Sequence, residues 1–217
     1  SKSICLLLAD RCLYHFQNYP GIYPYLIMHN DYQILMIDPP WLKKKGGIRK
    51  TRPNQDRSLD YATMSTKDIF HLLDDEVFPL ATDVHTVFLW NIEQYLTEGE
   101  RYMEDRGYKR HCRFIWNKMN GVAPAFTIRY SHEYLIWYYK PKMIEINKEH
   151  RGKFCTVFSE KPREHSRKPD CAYEMIELLY SEQNKIDVFS REKRSGWDQY
   201  GDQPHHFRSC INISTEI

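Results

Sequence analysis

The sequence predicts an α/β domain in which a mostly parallel sheet carries helices on both of its faces. Short apolar runs rich in β-branched and aromatic residues have the character of buried strands; they lie at 32–37, 86–90, 112–117, 134–139 and 185–189. Helical patterns separate several of these runs, and such alternation is typical of sheets covered on both faces. The 217 residues contain no recognisable linker, so we expect 1–217 to form one domain.

Three segments between the strands predict helices. Ser65 is a candidate N-cap with Asp68 at the third helical position, and apolar residues follow at helical spacing. The second segment, 93–106, is helical in pattern and stops at Gly107. The third, 169–182, places its apolar residues on one stripe, and Pro169 suits a first turn.

Composition excludes two classes of protein. The chain has 5 Trp, 16 Tyr and 10 Phe, which is too much apolar surface for a disordered protein. With 28% charged residues it is too polar for a membrane protein. Six cysteines without a Cys-x-x-Cys pair, and histidines without zinc-like spacing, indicate an intracellular protein (cytoplasm of a prokaryote or nucleus of a eukaryote) without a metal site.

The positive charge of the chain is concentrated in one segment. The net charge is only +2. Residues 42–57 nevertheless contain seven basic residues and one acidic residue, a local charge of +6. Alone, such a block is usually a solvated loop, although it is often an interaction surface. The basic residues are Lys43, Lys44, Lys45, Arg49, Lys50, Arg52 and Arg57.

An unusual tetrapeptide, Asp38-Pro39-Pro40-Trp41, directly follows the first predicted strand. Two prolines cannot continue a central strand, so the backbone becomes a stiff turn at the sheet edge where parallel sheets bind ligands. The Asp38 carboxylate and the Pro39 carbonyl, which we expect to lack a competing local donor, can each accept an amine hydrogen. Trp41 can stack on a planar ring. The alternative interpretation is a rigid structural turn with a buried tryptophan.

A second pair of residues has the chemistry of a cofactor site. Lys168 lies in a Lys-Pro-Asp turn that opens the third helix, and Asp187 lies in the last predicted strand. A cation near a helix start suits an amino-acid carboxylate, and an acid on such a strand suits a ribose. An ordinary helix cap with a surface ion pair would produce the same pattern.

The tetrapeptide resembles the signature of S-adenosylmethionine-dependent amino-methyltransferases. Its tryptophan form is similar to that of the METTL-type (MT-A, DPPW-signature) N-6 adenine methyltransferases. Further family elements follow in the family's order over roughly residues 32–203, within a matched core of 31–204, whereas 1–30 and 205–217 carry no motif. They are Tyr61-Ala-Thr-Met-Ser65, Phe88-Leu-Trp90, Phe114-Ile-Trp-Asn-Lys118, Ser131-His-Glu-Tyr-Leu135, His165-Ser-Arg-Lys-Pro-Asp170, Lys185-Ile-Asp-Val-Phe-Ser-Arg191 and Gly196-Trp-Asp-x-x-Gly201.

The resemblance implies a Rossmann-like methyltransferase fold with permuted motif order, because the acceptor tetrapeptide precedes the cofactor strand. It implies S-adenosylmethionine as cofactor, with its methionine carboxylate on Lys168 and its ribose near 202–203. A well-known member of the family has His-Asn where this chain has Lys193-Arg194, and Asn where this chain has Asp202. The implied cofactor residues are Asp38, Lys168, Asp187, Phe189, Arg191, Lys193, Arg194, Asp202 and Gln203.

The implied reaction is transfer of a methyl group to the 6-amino group of adenine in DNA. The implied catalytic residues are Asp38, Pro39, Pro40 and Trp41. The base must be flipped out or already single-stranded, and the basic segment beside the turn then becomes a candidate for phosphate contact. The expected substrate-binding residues are Lys43, Lys44, Lys45, Arg49, Tyr61 and Arg167.

Three alternatives stay open. The first is the same reaction on adenosine in RNA. The second is a non-catalytic nucleic-acid-binding subunit, which the intact tetrapeptide disfavours. The third is a small-molecule amine methyltransferase, which the basic segment disfavours. We expect DNA rather than RNA as the bound nucleic acid, no membrane contact, and a homodimer or a related methyltransferase subunit as partner by resemblance.

Overall fold

The computed structural model describes residues 31–42, 63–122, 128–163 and 167–201. Within these residues a seven-stranded sheet and three α-helices form the domain. The strands are β1 Tyr32–Ile37, β2 Ala81–Asn91, β3 Lys109–Asn117, β4 His132–Lys140, β5 Val157–Ser159, β6 Lys185–Val188 and β7 Asp198–Tyr200. The helices are α1 Thr66–Leu72, α2 Leu96–Asp105 and α3 Asp170–Leu179.

The sheet has the order β5-β3-β4-β2-β1-β6-β7. β1 is parallel to both β2 and β6, β6 to β7, and β3 to β5, whereas β4 is antiparallel to both of its neighbours. The predicted mostly parallel sheet is therefore confirmed, and β4 is the one reversed strand among those described. As a consequence, the beginning of β4 lies at the edge where the other strands end, with Tyr134 opposite Asn91.

Capping residues and short 3₁₀ or π-helical turns determine where the helices begin and end. Ser65 is the N-cap of α1, and its hydroxyl accepts from the Asp68 N–H, as predicted. α1 continues through a π-helical turn, Leu73–Val77, and a 3₁₀ turn, Phe78–Leu80. A 3₁₀ turn, Glu93–Tyr95, precedes α2. Pro169 is the N-cap of α3, not its first helical residue, because its backbone is extended. α3 ends at Leu179, before the predicted limit at 182.

Two apolar clusters lie on opposite faces of the sheet. The first joins α1 and α2 to one face of β1, including Leu35 and Ile37. The second joins α3 to the other face, where Ile34 and Met36 alternate with them. The prediction of helices on both faces is therefore confirmed. Among the described residues, no helix combines the length and the apolar character that a membrane crossing requires.

Candidate active site

The carboxyl ends of β1 and β6 and the beginning of β4 lie at the same edge of the sheet. Asp38 follows β1, Phe189 follows β6, and Glu133 is the second residue of the reversed strand β4. Lys168, in the turn before α3, extends its ammonium into this edge. Its Nζ lies 2.8 Å from Asp38 Oδ1 and 3.3 Å from Glu133 Oε2. Sequence-distant charges are thus brought together where parallel sheets bind ligands.

The backbone holds the Asp38 turn rigidly. The Asp38 N–H donates to the Val188 carbonyl at 3.1 Å and extends the pairing of β1 with β6. The Trp41 N–H donates to the Pro39 carbonyl at 2.8 Å, so the expectation of a carbonyl without a local donor is wrong. The turn folds back on itself tightly enough to bring this donor within reach. A carbonyl oxygen has two lone pairs, so the Pro39 carbonyl can accept a second hydrogen bond.

Trp41 anchors this turn in the core. Its side chain is only 4% exposed, and its ring stacks on Tyr95 with centroids 5.1 Å apart. Its Nε1 donates to the Trp90 carbonyl at 3.2 Å, and the Tyr95 hydroxyl donates to the Leu42 carbonyl. This placement differs from the expected stacking on an acceptor base, because an indole buried to this degree is not open to one. It matches the alternative interpretation of a structural anchor.

A cleft that is open to solvent lies between the Asp38 turn, the residues after β6 and the start of α3. Six of the nine expected cofactor residues line it, whereas Lys193 is exposed and absent from its lining. Asp202 and Gln203 lie outside the described residues, as do Lys43, Lys44, Lys45, Arg49 and Tyr61. The lining residues are Asp38, Arg167, Lys168, Tyr173, Asp187, Phe189, Ser190, Arg191, Glu192 and Arg194.

Asp187 presents a buried acceptor to this cleft. It is 2% exposed, and its Oδ2 accepts from the Tyr173 hydroxyl at 3.0 Å. Its Oδ1 is buried without a hydrogen-bond partner among the described residues. Burial raises the pKa of Asp187 to about 7, although Tyr173, Arg194 and the nearby Ser190 hydroxyl, which donates to the Glu192 carbonyl at 2.8 Å, oppose this shift. Buried polar atoms are normally satisfied, so this oxygen fits a ligand that donates hydroxyl hydrogens, as a ribose does.

A network of ion pairs forms the wall behind Asp187. Arg167 Nη2 lies 2.5 Å from Glu192 Oε1, and Arg194 Nη2 lies 2.6 Å from Glu192 Oε2 and 2.8 Å from Asp170 Oδ1. The Arg194 guanidinium also stacks on Tyr173, 3.8 Å from the ring centroid. The buried Arg167 therefore lines the cleft with its guanidinium paired to Glu192, and its expected contact with substrate stays a prediction.

Gly201 allows the residues after β6 to pack closely. Phe189 has a φ of 63°, and its N–H donates to the Tyr200 carbonyl at 2.6 Å. A Cβ at Gly201 would lie 3.3 Å from the Phe189 Cα and from the Ser190 N and O atoms. That is tighter than ordinary van der Waals contact with backbone that cannot easily move. Gly201, the last glycine of the 196–201 motif, therefore allows the chain to pack directly on the backbone of Phe189 and Ser190.

The Lys168 ammonium is held in a charged and aromatic environment. Burial alone lowers the pKa of Lys168, but the charges of Asp38 and Glu133 outweigh burial and raise the pKa above its ordinary value. The ammonium also lies 5.3 Å from the centroid of the Trp90 ring. Lys168 is therefore a cation at neutral pH.

The comparison with known proteins agrees with this arrangement. Residues 32–203 match the family model described as MT-A70. The chain belongs to the MT-A70 family. Methyltransferases of this family use S-adenosylmethionine as the methyl donor, and the acceptor oxygen of Asp187 and the cation of Lys168 suit the ribose and carboxylate of that molecule.

Several curated methyltransferases are similar to most of the chain. An N(6)-adenosine-methyltransferase MT-A70-like protein of Arabidopsis thaliana is 28% identical over 179 residues, 78% of this chain and 23% of the relative. The Type II methyltransferase M.MunI of Mycoplasma sp is 22% identical over 193 residues, 78% of this chain and 76% of the relative. Human N(6)-adenosine-methyltransferase catalytic subunit METTL3 is 25% identical over 181 residues, 79% of this chain and 28% of the relative. The chain therefore spans about a quarter of the MT-A70-like relative's length.

Sequence reasoning missed two buried acids of the site. Glu133 lies within the family's His-Glu element, but a parallel β4 would place it at the opposite edge of the sheet. No helix is predicted between β3 and β4, and this absence could have indicated that β4 is antiparallel to β3. Glu192 differs, because nothing in the charged run Arg191-Glu192-Lys193-Arg194 distinguishes the buried Glu192 from the exposed Lys193.

Proposed function

We propose that this chain catalyses methyl transfer from S-adenosylmethionine to the 6-amino group of adenine in DNA. The observation that carries the proposal is the position of Asp38. Its carboxylate lines the cleft and is held by the rigid turn and by Lys168. Its side chain is 22% exposed, so an acceptor can reach it from solvent. Family membership supports the same reaction.

The residues of the cleft fit the donor. S-adenosylmethionine supplies a methyl group made electrophilic by its sulfonium. Lys168 would hold the donor's carboxylate, and Asp187 Oδ1 would accept from its ribose hydroxyls. Arg194 and Tyr173 keep Asp187 in place from behind. These groups bind and orient, and correct orientation supplies a large part of the rate of such a displacement.

Asp38 would act on the acceptor amine. The lone pair of an adenine amine is delocalised into the ring, so the amine is a weak nucleophile. Hydrogen bonds from it to the Asp38 carboxylate and the Pro39 carbonyl favour a pyramidal nitrogen and stabilise its developing positive charge. Transfer would form the N–C bond as the donor's S–C bond breaks, and the cationic methylated amine would then release its extra proton to solvent water. No covalent enzyme intermediate is required.

Two observations bear on the acceptor: the first supports a nucleic acid of either kind, and the second supports DNA. The +6 segment, 42–57, begins directly after Trp41, and such charge suits a phosphate backbone of either polymer. The similarity to the Type II methyltransferase covers 76% of that relative, whereas the similarity to human METTL3 covers 28%. Enzymes named type II methyltransferases modify DNA, so the broader match supports DNA.

Adenosine in RNA is the second candidate. The names of the plant and animal relatives specify adenosine, which is a ribonucleoside, and their identities of 25–28% exceed the 22% of the type II enzyme. A non-catalytic subunit is disfavoured, because Asp38 and the turn that holds it are intact. We propose a second copy of this chain or a related methyltransferase subunit as partner on resemblance alone.

The test is methyl transfer from radiolabelled S-adenosylmethionine to four oligomers of equal sequence: single- and double-stranded DNA, and single- and double-stranded RNA. We expect label on adenine in DNA, with more on single-stranded or unpaired adenine because an unstacked base needs no flipping. Label on RNA alone would transfer the proposal to the second candidate. Cofactor binding without label on any polymer would contradict both candidates.

A further inference from the structure

The first turn of α3 is capped by an acid from outside the helix. Pro169 is the N-cap residue, and its side chain makes no capping hydrogen bond. Glu160 supplies the missing acceptor, because its Oε1 accepts from the Asp170 N–H and its Oε2 from the Cys171 N–H, each at 3.1 Å. The N–H groups of a first helical turn need such acceptors, and an anion there also suits the helix dipole. The Glu160 carboxylate therefore holds the start of α3.

Glu160 is itself fixed to the sheet. It directly follows β5, and its N–H donates to the Asn117 carbonyl at the end of β3 at 3.3 Å. Its own carbonyl accepts from Trp116 Nε1 at 2.8 Å. Asn117 lies opposite His132 at the beginning of β4, which is the edge of the sheet that carries the cleft. Glu160 therefore connects the start of α3 to that edge.

Arg163 extends this connection to Lys168. Its Nη1 lies 2.5 Å from Asp170 Oδ2, and its Nη2 lies 3.6 Å from Glu160 Oε1. The same Nη2 donates to the Lys168 carbonyl at 3.4 Å. The backbone of Lys168 is thus held by the capped helix that follows it and by Arg163. The Lys168 ammonium then reaches Asp38 in the cleft at 2.8 Å.

We propose that Glu160 is a positioning residue for S-adenosylmethionine, which sets the place of the Lys168 ammonium and thereby the binding of the donor's carboxylate. The inference rests on the proposed function, in which Lys168 holds that carboxylate. The described residues that line the cleft do not include Glu160, so it acts through the turn at Lys168. Its loss should weaken the binding of ligands that carry the carboxylate and spare ligands that lack it.

The test measures the affinity of two ligands for the wild-type chain and for Glu160→Gln by isothermal titration calorimetry. S-adenosylhomocysteine carries the amino-acid carboxylate, whereas methylthioadenosine keeps the adenosine and the sulfur but lacks the amino-acid part. We expect the Kd of S-adenosylhomocysteine to rise about tenfold, as for partial loss of a charged hydrogen bond, and that of methylthioadenosine to change less than about twofold. An equal rise in both Kd values would overturn the inference, as would an unchanged Kd of S-adenosylhomocysteine.

Two further variants serve as controls. The Glu100 carboxylate also has two partners, Arg113 and Arg110, but lies on α2 away from the cleft, so Glu100→Gln should leave both Kd values unchanged. Lys168→Gln tests the premise, because it should weaken S-adenosylhomocysteine alone. If Lys168→Gln binds that ligand as the wild type does, the carboxylate contact of the proposed function fails. If only Lys168→Gln shows the selective loss, the proposed contact stands and the inference about Glu160 fails.

A double variant separates positioning from helix capping, and it keeps the test valid if Glu160→Gln alone does not fold. Serine at an N-cap supplies an acceptor for first-turn N–H groups, so adding Pro169→Ser should restore the melting temperature that Glu160→Gln lowers. Serine does not restore the connection to the sheet. We therefore expect the double variant to keep the weakened Kd of S-adenosylhomocysteine, relative to Pro169→Ser alone. Recovery of both quantities would overturn the inference, because Glu160 would then be a helix cap and nothing more.

Discussion

The two sides of the cleft are held by different forces. On the cofactor side, ion pairs and a stacked guanidinium connect Arg167, Glu192, Arg194 and Tyr173 behind Asp187. On the acceptor side, the Asp38 turn is held by backbone hydrogen bonds, two prolines and a buried indole. The first side depends on paired charges out of water, and the second on backbone geometry.

Because of this difference, we expect substitutions on one side of the cleft to affect stability and substitutions on the other side to affect turnover. A buried ion pair that loses one partner leaves an uncompensated charge, so substitutions in the cofactor wall should destabilise the fold. The acceptor turn holds its own shape, and its partly exposed Asp38 carboxylate can exchange partners. Substitution of that carboxylate should therefore affect turnover far more than folding.

The largest effect is expected for Asp38→Asn. The amide keeps the size of the side chain but removes the negative charge that faces the developing positive charge on the acceptor nitrogen. Turnover should fall by about 100- to 1,000-fold, as for loss of one preorganised electrostatic contact. Methyl transfer at saturating cofactor measures it, with circular dichroism to verify the fold. A loss of turnover of less than tenfold would contradict a catalytic role for Asp38.

Glu192→Gln should produce the largest loss of stability. It leaves Arg167 and Arg194 without a shared anion, and the Glu192 and Arg167 side chains are only 8% and 7% exposed. Breaking such a pair costs about 3–5 kcal/mol of unfolding free energy. Denaturant unfolding measures the change, with Glu145→Gln as control because the Glu145–Arg151 pair is exposed. Equal losses of unfolding free energy in the two variants would contradict the proposed difference between the two sides of the cleft.

Asp187→Asn should change how stability depends on pH. The pKa of Asp187 is raised from 3.8 to about 7, so between these values the unfolded chain releases the proton that the native chain retains. Native stability contributed by this proton therefore declines as pH rises from about 4 to 7. The unfolding free energy of the variant, relative to wild type, should increase over that range. A constant difference between the two proteins would refute the burial of a protonated Asp187.

The smallest effect is expected for Tyr95→Phe. The ring keeps its stack on Trp41, but the hydroxyl that donates to the Leu42 carbonyl is lost. The unfolding free energy should fall by about 1 kcal/mol, the value of one hydrogen bond. Chemical denaturation can resolve this difference. Tyr95→Ala serves as the comparison, since it also removes the stack and should cost clearly more.

Local patterns predicted much of the architecture, and long-range pairing decided the rest. β1 and the Ser65 cap are encoded by adjacent residues, and both agree with the prediction. The reversal of β4 follows from its antiparallel pairing with β2 and β3 and not from the residues beside Glu133, so the place of Glu133 did not follow from its neighbours. The burial of Trp41 likewise depends on Tyr95, which lies far along the chain.

The central claim is that the acceptor is the 6-amino group of adenine held at Asp38. Two DNA oligomers test it most directly: one with a single adenine, and one in which purine, which lacks the 6-amino group, replaces that adenine. We expect labelled methyl on the first oligomer, recovered as N6-methyladenine by nucleoside mass spectrometry, and none on the second. Equal labelling of the two oligomers would contradict it.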